Sequence, residues 1–215
     1  MNAPRFDMYT MVHKGQRKRL FELTFAAGQL TAGDGAARES LVASIHEALD
    51  AIVEHAHAED EFLGPLYREA AAVTGARFAA EHAALDASMD AVRASARAAT
   101  NDPTPATHLA LYRSLAAFTG LYLTHIDAEE RSLPDLWARF DDATLARTQG
   151  AIVASHPPAT VQFNLRNMLP AATSLERVNF LVGLRRNMPA PAFAGMRSAV
   201  GAVVSADEWS RVDAS

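Results

Sequence analysis

The chain has 215 residues, 20 Lys and Arg against 25 Asp and Glu for a net charge of −5, and about half of its residues are apolar. That balance belongs to a folded protein able to bury a sizeable core, and it excludes a disordered or low-complexity chain. With no cysteine there are no disulfides, thiolate nucleophiles, zinc ribbons or iron–sulfur clusters, so any metal must be held by nitrogen and oxygen.

The mild acidity also argues against nucleic acid as a partner, because phosphate binding needs a basic face. No stretch approaches the roughly 18 apolar residues of a membrane span, and Met1 to Thr10 lacks the apolar core of a secretory leader. A cytoplasmic protein that engages no membrane is expected.

Alanine, leucine, arginine and glutamate are frequent, and no run alternates β-branched with polar residues over strand length, so the expected fold class is all-α. The first helix is expected from Asp7 to Leu30. Steps of three and four residues keep side chains on one face, and here they pick out Tyr9, His13, Gln16, Leu20, Leu23, Ala27 and Leu30. Lys14, Arg17, Lys18 and Arg19 read as a solvated face. After a break at Thr31 to Gly35, the second helix runs from Ala37 to Val73, interrupted near Pro65. Its stripe is Leu41, Ile45, Ala48, Ile52, His55, Glu59 and Phe62. A break at Thr74–Gly75 precedes the third helix, Ala76 to Ala99, with Phe78, His82, Leu85, Met89 and Val92. Asn101 to Pro105 separates it from the fourth, Ala106 to Phe140, with Leu111, Leu115, Phe118, Tyr122, His125, Glu129 and Leu136.

Short connections between long amphipathic helices favour antiparallel neighbours, so residues 1–140 are expected to form an antiparallel up-down four-helix bundle. Further breaks fall around Pro134 to Asp142, at His156 to Pro158, at Pro170 and at Pro189 to Pro191. Thr173 to Glu176 and Ser205 to Glu208 have the spacing of capping boxes. Residues 141–215 therefore read as a C-terminal extension of short helices that packs on the bundle, on a protein partner or on a second copy.

Each interior stripe carries one histidine, and two carry a glutamate four residues later. Buried imidazoles and carboxylates need partners, and a metal supplies them economically. Residues four apart on a helix differ by about 6 Å along the axis and about 40° around it, so one helix can offer both groups to one centre. Four nitrogens and two carboxylates exceed a tetrahedral zinc set. They suit a pair of first-row ions about 3.5 to 4 Å apart with the carboxylates as bridges. Di-iron is the leading reading, with manganese or zinc as alternatives. The expected ligands are His13, His55, Glu59, His82, His125 and Glu129.

His57 and Glu61 have the same spacing as His55 and Glu59, but two residues turn a helix by about 200°, so only one pair faces inward. His57 shares its stripe with Glu47, Asp50, Glu54 and Glu61, an acidic face, and is placed in solvent. Glu130 leaves the stripe that Glu129 occupies. Tyr122 and Gln16 read as core packing, with a hydrogen bond to a bound oxygen species as the lesser alternative. His46 and His108 fall off the seams as surface residues, and His156 precedes two prolines as a loop or cap residue. The methionines read as packing residues.

At these residues the chain resembles a known family. His55-Ala-His57-Ala-Glu59-Asp60-Glu61 and His125-Ile-Asp-Ala-Glu129-Glu130 look like the two H-x-x-x-E-[DE] segments of hemerythrin-like, HHE cation-binding domains. His13 and Glu81-His82 stand where that family places its remaining histidines. The resemblance covers about residues 7 to 140. It implies non-heme iron in an antiparallel four-helix bundle that carries or senses oxygen, handles nitric oxide or responds to iron. The oxygen carriers have histidines four apart in the third helix, whereas Asp86 stands four after His82 here. The set is closer to iron-sensing or redox members. Asp86 is expected to orient His82 rather than to bind the metal.

Competing chemistries fail on spacing. A ferritin-like di-iron site needs two E-x-x-H motifs, and the chain has only Glu54-x-x-His57 on the polar face. No H-E-x-x-H, G-x-S-x-G or phosphate-binding glycine loop occurs. The expected function is binding or sensing of a small diatomic ligand, O2 or NO, or a response to iron. The alternatives are a redox enzyme acting on peroxide, NO or ferrous iron, and an interaction module with a structural metal.

Overall fold

The computed structural model describes residues 5–31, 33–201 and 203–215. Residues 1–4, where the reading of the N-terminus begins, and residue 32, inside the expected Thr31–Gly35 break, lie outside the described residues. Among the described residues there are helices and turns and no strand, as an all-α sequence requires.

Helix α1 spans Thr10–Gly28 and α2 spans Gly35–Ala58. The side chain of Asp7 accepts the backbone N–H groups of Tyr9 and Thr10 at 3.0 and 2.9 Å and so starts α1. A π-helical turn, Glu59–Leu63, continues α2 into α3, Gly64–Ala70. Helices α4, Ala72–Asn101, and α5, Pro105–Arg139, complete the bundle, with α5 opened by a reciprocal Thr104–Thr107 capping box. Helix α1 packs against α2 and α5, and α4 closes the ring against the same two. Thr24 meets Thr119 and His13 meets Glu130, so α1 and α5 run in opposite directions.

The interior stripes are buried as the periodicity requires, and only Leu30 and Phe62 are partly exposed. The π turn accounts for Phe62. Its wider pitch moves the interior position on by one residue, so that Leu63 and then Tyr67 point inward after Glu59.

One expected break is not a break, and two fall a little after the prolines that suggested them. Thr74 and Gly75 lie within α4, and the chain turns instead at Ala71, where φ is −156° and ψ is 69°. Gly75 marks a close crossing, since a Cβ there would stand 2.8 Å from the Cβ of Tyr67. Pro134 and Pro170 sit inside helices that end shortly after them, at Arg139 and Ala171, so the first break falls within the expected Pro134–Asp142 stretch and the second just beyond Pro170.

The remaining helices are α6, Asp142–Ser155, α7, Pro158–Ala171, α8, Ser174–Asn187, α9, Ala190–Val200, and α10, Ala206–Asp213. Thr173 with Glu176 and Ser205 with Glu208 form the expected capping boxes. Helix α7 lies on α1 at Gly15, where a Cβ would come within 2.8 Å of the backbone nitrogen of Met168. Lys14 reaches Glu176 at 2.6 Å, and Arg17 is held by Glu130, so the basic cluster on α1 is not simply a solvated face. It makes cross-helix ion pairs that local spacing does not reveal. Leu169, Leu181, Trp209 and Val212 belong to a separate apolar cluster in the extension. Among the described residues no helix is long and apolar enough to cross a membrane.

Within the bundle, one apolar cluster contains Leu20, Ile45, Met89, Leu115 and Tyr122. A second contains Tyr9, Leu63, Tyr67, Phe78 and Leu136, with Leu145 and Ile152 of α6. Burying such side chains stabilises the fold by about 1.5–3 kcal/mol each. Between the two clusters lies a polar layer, where each of the four bundle helices contributes a histidine.

Candidate metal centre

The structure brings His13, His55, Glu59, His82, His125 and Glu129 into one buried layer, none more than 6 % exposed. His13 comes from α1, His55 from the last turn of α2, Glu59 from the first position of the π turn, His82 from α4, and His125 and Glu129 from α5. All four imidazoles turn Nε2 inward. The Nε2 atoms of His13 and His55 lie 3.3 Å apart.

The two carboxylates span the layer. Glu59 places Oε1 3.1 Å from His55 Nε2 and Oε2 3.6 Å from His82 Nε2. Glu129 places Oε1 3.1 Å from His125 Nε2 and 3.7 Å from His82 Nε2, while its Oε2 is 3.5 Å from His13 Nε2. Each glutamate thus offers one oxygen to the His13–His55 half and the other to the His82–His125 half. Donor atoms of His13, His55 and Glu59 group closely enough to hold one ion, as do those of Glu59, His82, His125 and Glu129.

Both oxygens of Glu59, Oε2 of Glu129 and Nε2 of His82 are buried without a hydrogen-bond partner. Orphaned carboxylate oxygens in a dry interior cost several kcal/mol, and cations are the partners that geometry leaves room for. The residues therefore fit a metal pair.

Protonation follows the same geometry. Burial, and then the facing Glu129 carboxylate, push Glu59 well above the usual carboxylate range. Burial also works to raise Glu129, but the imidazoles of His125 and His82 beside it, with His13, outweigh it and hold Glu129 low. Burial and the neighbouring His13 keep His55 well below its ordinary value, hence neutral and able to ligate. For His125 burial pulls downward, and the contacts with Glu129 and Glu81 raise it overall.

Three imidazoles are oriented by outer acids on Nδ1. Glu130 holds His13 at 3.0 Å, Asp60 holds His82 at 2.9 Å and Glu81 holds His125 at 2.8 Å. Such partners fix the tautomer and raise ligand basicity. The sequence reading gave the His82 role to Asp86, but Asp86 is exposed and Asp60 takes that place from the π turn. Glu81 and Glu130 in this role were also missed. Each sits beside a ligand position in sequence, and a search for acids adjacent to the histidine stripes would have found them.

His57 is exposed, as its acidic stripe indicates, and His46 and His156 are half-buried. His108 is a correction, since it is buried at 3 % exposure. It packs near the N-terminal end of α5, remote from His125, beside Leu109 and Tyr112 at a groove against the end of α1.

A four-helix bundle with a buried layer of imidazoles and bridging carboxylates defines a cation-binding bundle protein. The family model described as Hemerythrin HHE cation binding domain matches residues 6–137, and the chain belongs to that family. No curated protein and no solved structure matches the chain.

Proposed function

We propose that this chain is a cytoplasmic iron protein whose two ions, held by His13, His55, Glu59, His82, His125 and Glu129, bind or sense a small diatomic ligand, O2 or NO, or report iron itself. The observation that carries the reading is the span of Glu59 and Glu129, whose paired oxygens face two separate imidazole pairs. One ion needs no such duplication. A mixed imidazole and carboxylate set without thiolate suits iron, and manganese or zinc would meet the same donors less selectively. An iron pair there would supply reversible electron transfer and an open coordination position for a small ligand.

The protein's own part is to fix the ligands and to limit what enters. Asp60, Glu81 and Glu130 aim three imidazoles. The void beside Glu59, Tyr67, His82 and Glu129 is about 20 Å³, room for a molecule the size of water and no organic substrate. A layer packed this tightly favours a ligand of a few atoms, a diatomic first and peroxide as the second reading, and leaves that void itself room for no more than a water.

Elemental analysis of the purified chain should find about two iron ions per chain, with absorption from a bridged iron pair. His55→Ala and His125→Ala should lose most of the metal, while His57→Ala and His46→Ala keep it. Equal loss from His57→Ala would overturn the ligand assignment. Turnover of peroxide or NO under a reductant would favour the enzyme over the sensor.

A further inference from the structure

Four tyrosine and serine hydroxyls flank the polar layer, and their hydrogen bonds differ between its two sides. On the side of α3 and α6, Ser132 Oγ lies 2.7 Å from the backbone oxygen of Glu129, which only accepts, so Ser132 donates there. Tyr67 must then donate to Ser132 Oγ at 2.5 Å, and Tyr9 to the Tyr67 oxygen at 3.1 Å. All three protons are committed. The small void on this side is lined by Tyr9 and Tyr67, and the Tyr9 oxygen retains only acceptor capacity. Its best occupant is a molecule that donates, and a water fits the 20 Å³.

The opposite side, toward the long apolar cluster, is different. Tyr122 sits one turn before His125 with ring centroids 6.2 Å apart, is 2 % exposed, and its hydroxyl has no partner. Burial, then the fields of Glu59 and Glu129, push the phenol well above its usual range, so it keeps its proton. Gln16, one turn after His13, adds a buried amide oxygen that is also unpartnered. A phenylalanine would fill the Tyr122 volume without leaving a donor unmet.

We infer that Tyr122 is a positioning residue that donates its hydroxyl hydrogen bond to the exogenous diatomic ligand, turning the ligand's acceptor end toward the bundle core and leaving the Tyr9 side to water. The inference rests on the function proposed above.

The test uses the full, iron-loaded chain under anaerobic conditions with NO as the probe, comparing wild type, Tyr122→Phe and Tyr9→Phe. Iron content and far-UV circular dichroism should be the same in all three. Tyr122→Phe should release NO about tenfold faster, the loss of one hydrogen bond, and its N–O stretch should lose the shift that wild type shows between H2O and D2O. Tyr9→Phe should keep both properties. If Tyr122→Phe retains the wild-type rate and isotope shift, or loses iron, the assignment of Tyr122 is overturned while the metal centre stands. A wild-type chain that takes up iron and binds no NO overturns the diatomic reading, and this inference with it.

Discussion

Glu130 holds Nδ1 of His13 at 3.0 Å while the adjacent Glu129 faces Nε2 of the same ring at 3.5 Å, so two consecutive acids on α5 grip one imidazole from opposite edges. Arg17 fixes Glu130 at 2.5 Å. Burial works against the ionised carboxylate, but the His13 and Arg17 contacts hold Glu130 down at about 2. Glu130→Gln should therefore weaken metal binding by about 10- to 100-fold, measured by competition with a chromophoric chelator. Glu61→Gln, at an exposed position of the π turn, should leave the affinity unchanged.

Metal binding should release protons, because Glu59 is raised well above its ordinary 4.5 and must ionise to ligate. The sign for the metal-free chain follows. A group whose folded pKa is raised binds more protons folded than unfolded above 4.5, so its contribution to stability falls as pH rises past that value. Metal-free Glu59→Gln should melt at a higher temperature than metal-free wild type at pH 7 and still fail to hold the ion pair. A lower melting temperature would sink this account of Glu59.

With iron bound, the stability order should reverse. A ligand at 100 times its dissociation constant adds about 2.7 kcal/mol, so loaded wild type should unfold well above its chelator-stripped form. Equal melting temperatures before and after stripping would mean that the layer is not a metal site.

Gly15→Ala sets two effects against each other. Alanine gains about 1 kcal/mol in helix propensity, but its Cβ meets Met168 backbone nitrogen at 2.8 Å. Overpacking of this kind costs about 1–3 kcal/mol, and backbone gives way less readily than a side-chain tip. Gly15→Ala should lower the urea midpoint and loosen α7 from α1, visible as faster amide exchange in α7.

The extension should be acid-sensitive through Glu208. Burial opposes the ionised carboxylate, but the Ser205 backbone N–H and side chain, Ser174 and the Arg177 guanidinium hold it down at about 2. A depressed acid stabilises above its unfolded value and loses that contribution as pH falls from 4.5 toward 2. Tryptophan fluorescence, which includes Trp209 of the same cluster, should report loosening across that range. Glu208→Gln should be less stable at neutral pH and show a flatter acid limb.

Periodicity alone located the interior faces of α1, α2, α4 and α5, because a histidine that interrupts a run such as Leu111, Leu115, Phe118, Tyr122 is conspicuous at helical spacing. It also separated His55 from His57 and Glu129 from Glu130. The shift from Phe62 to Leu63 was not readable, since it depends on a π turn and the stripe assumes 3.6 residues per turn. Asp60 for His82, Glu81 for His125 and Lys14 for Glu176 are contacts between helices, and their register is set by packing rather than by neighbours in the chain. Gly75 was read as a break because its punctuating role and its use at a close crossing have the same sequence signature.

The wide turn at Glu59–Leu63 gives its helix a tolerance for deletion that α5 lacks. Removing one exposed residue there, such as Glu61, leaves Leu63 three positions after Glu59, still on the inward side at ordinary pitch. The same loss within the regular pitch of α5 would swing everything after it by about 100° relative to what precedes it, carrying Leu133 and Leu136 off the interior. Of the two helical segments that bring a carboxylate to the centre, mechanics thus lets only one lose a residue without turning its apolar face away from the core.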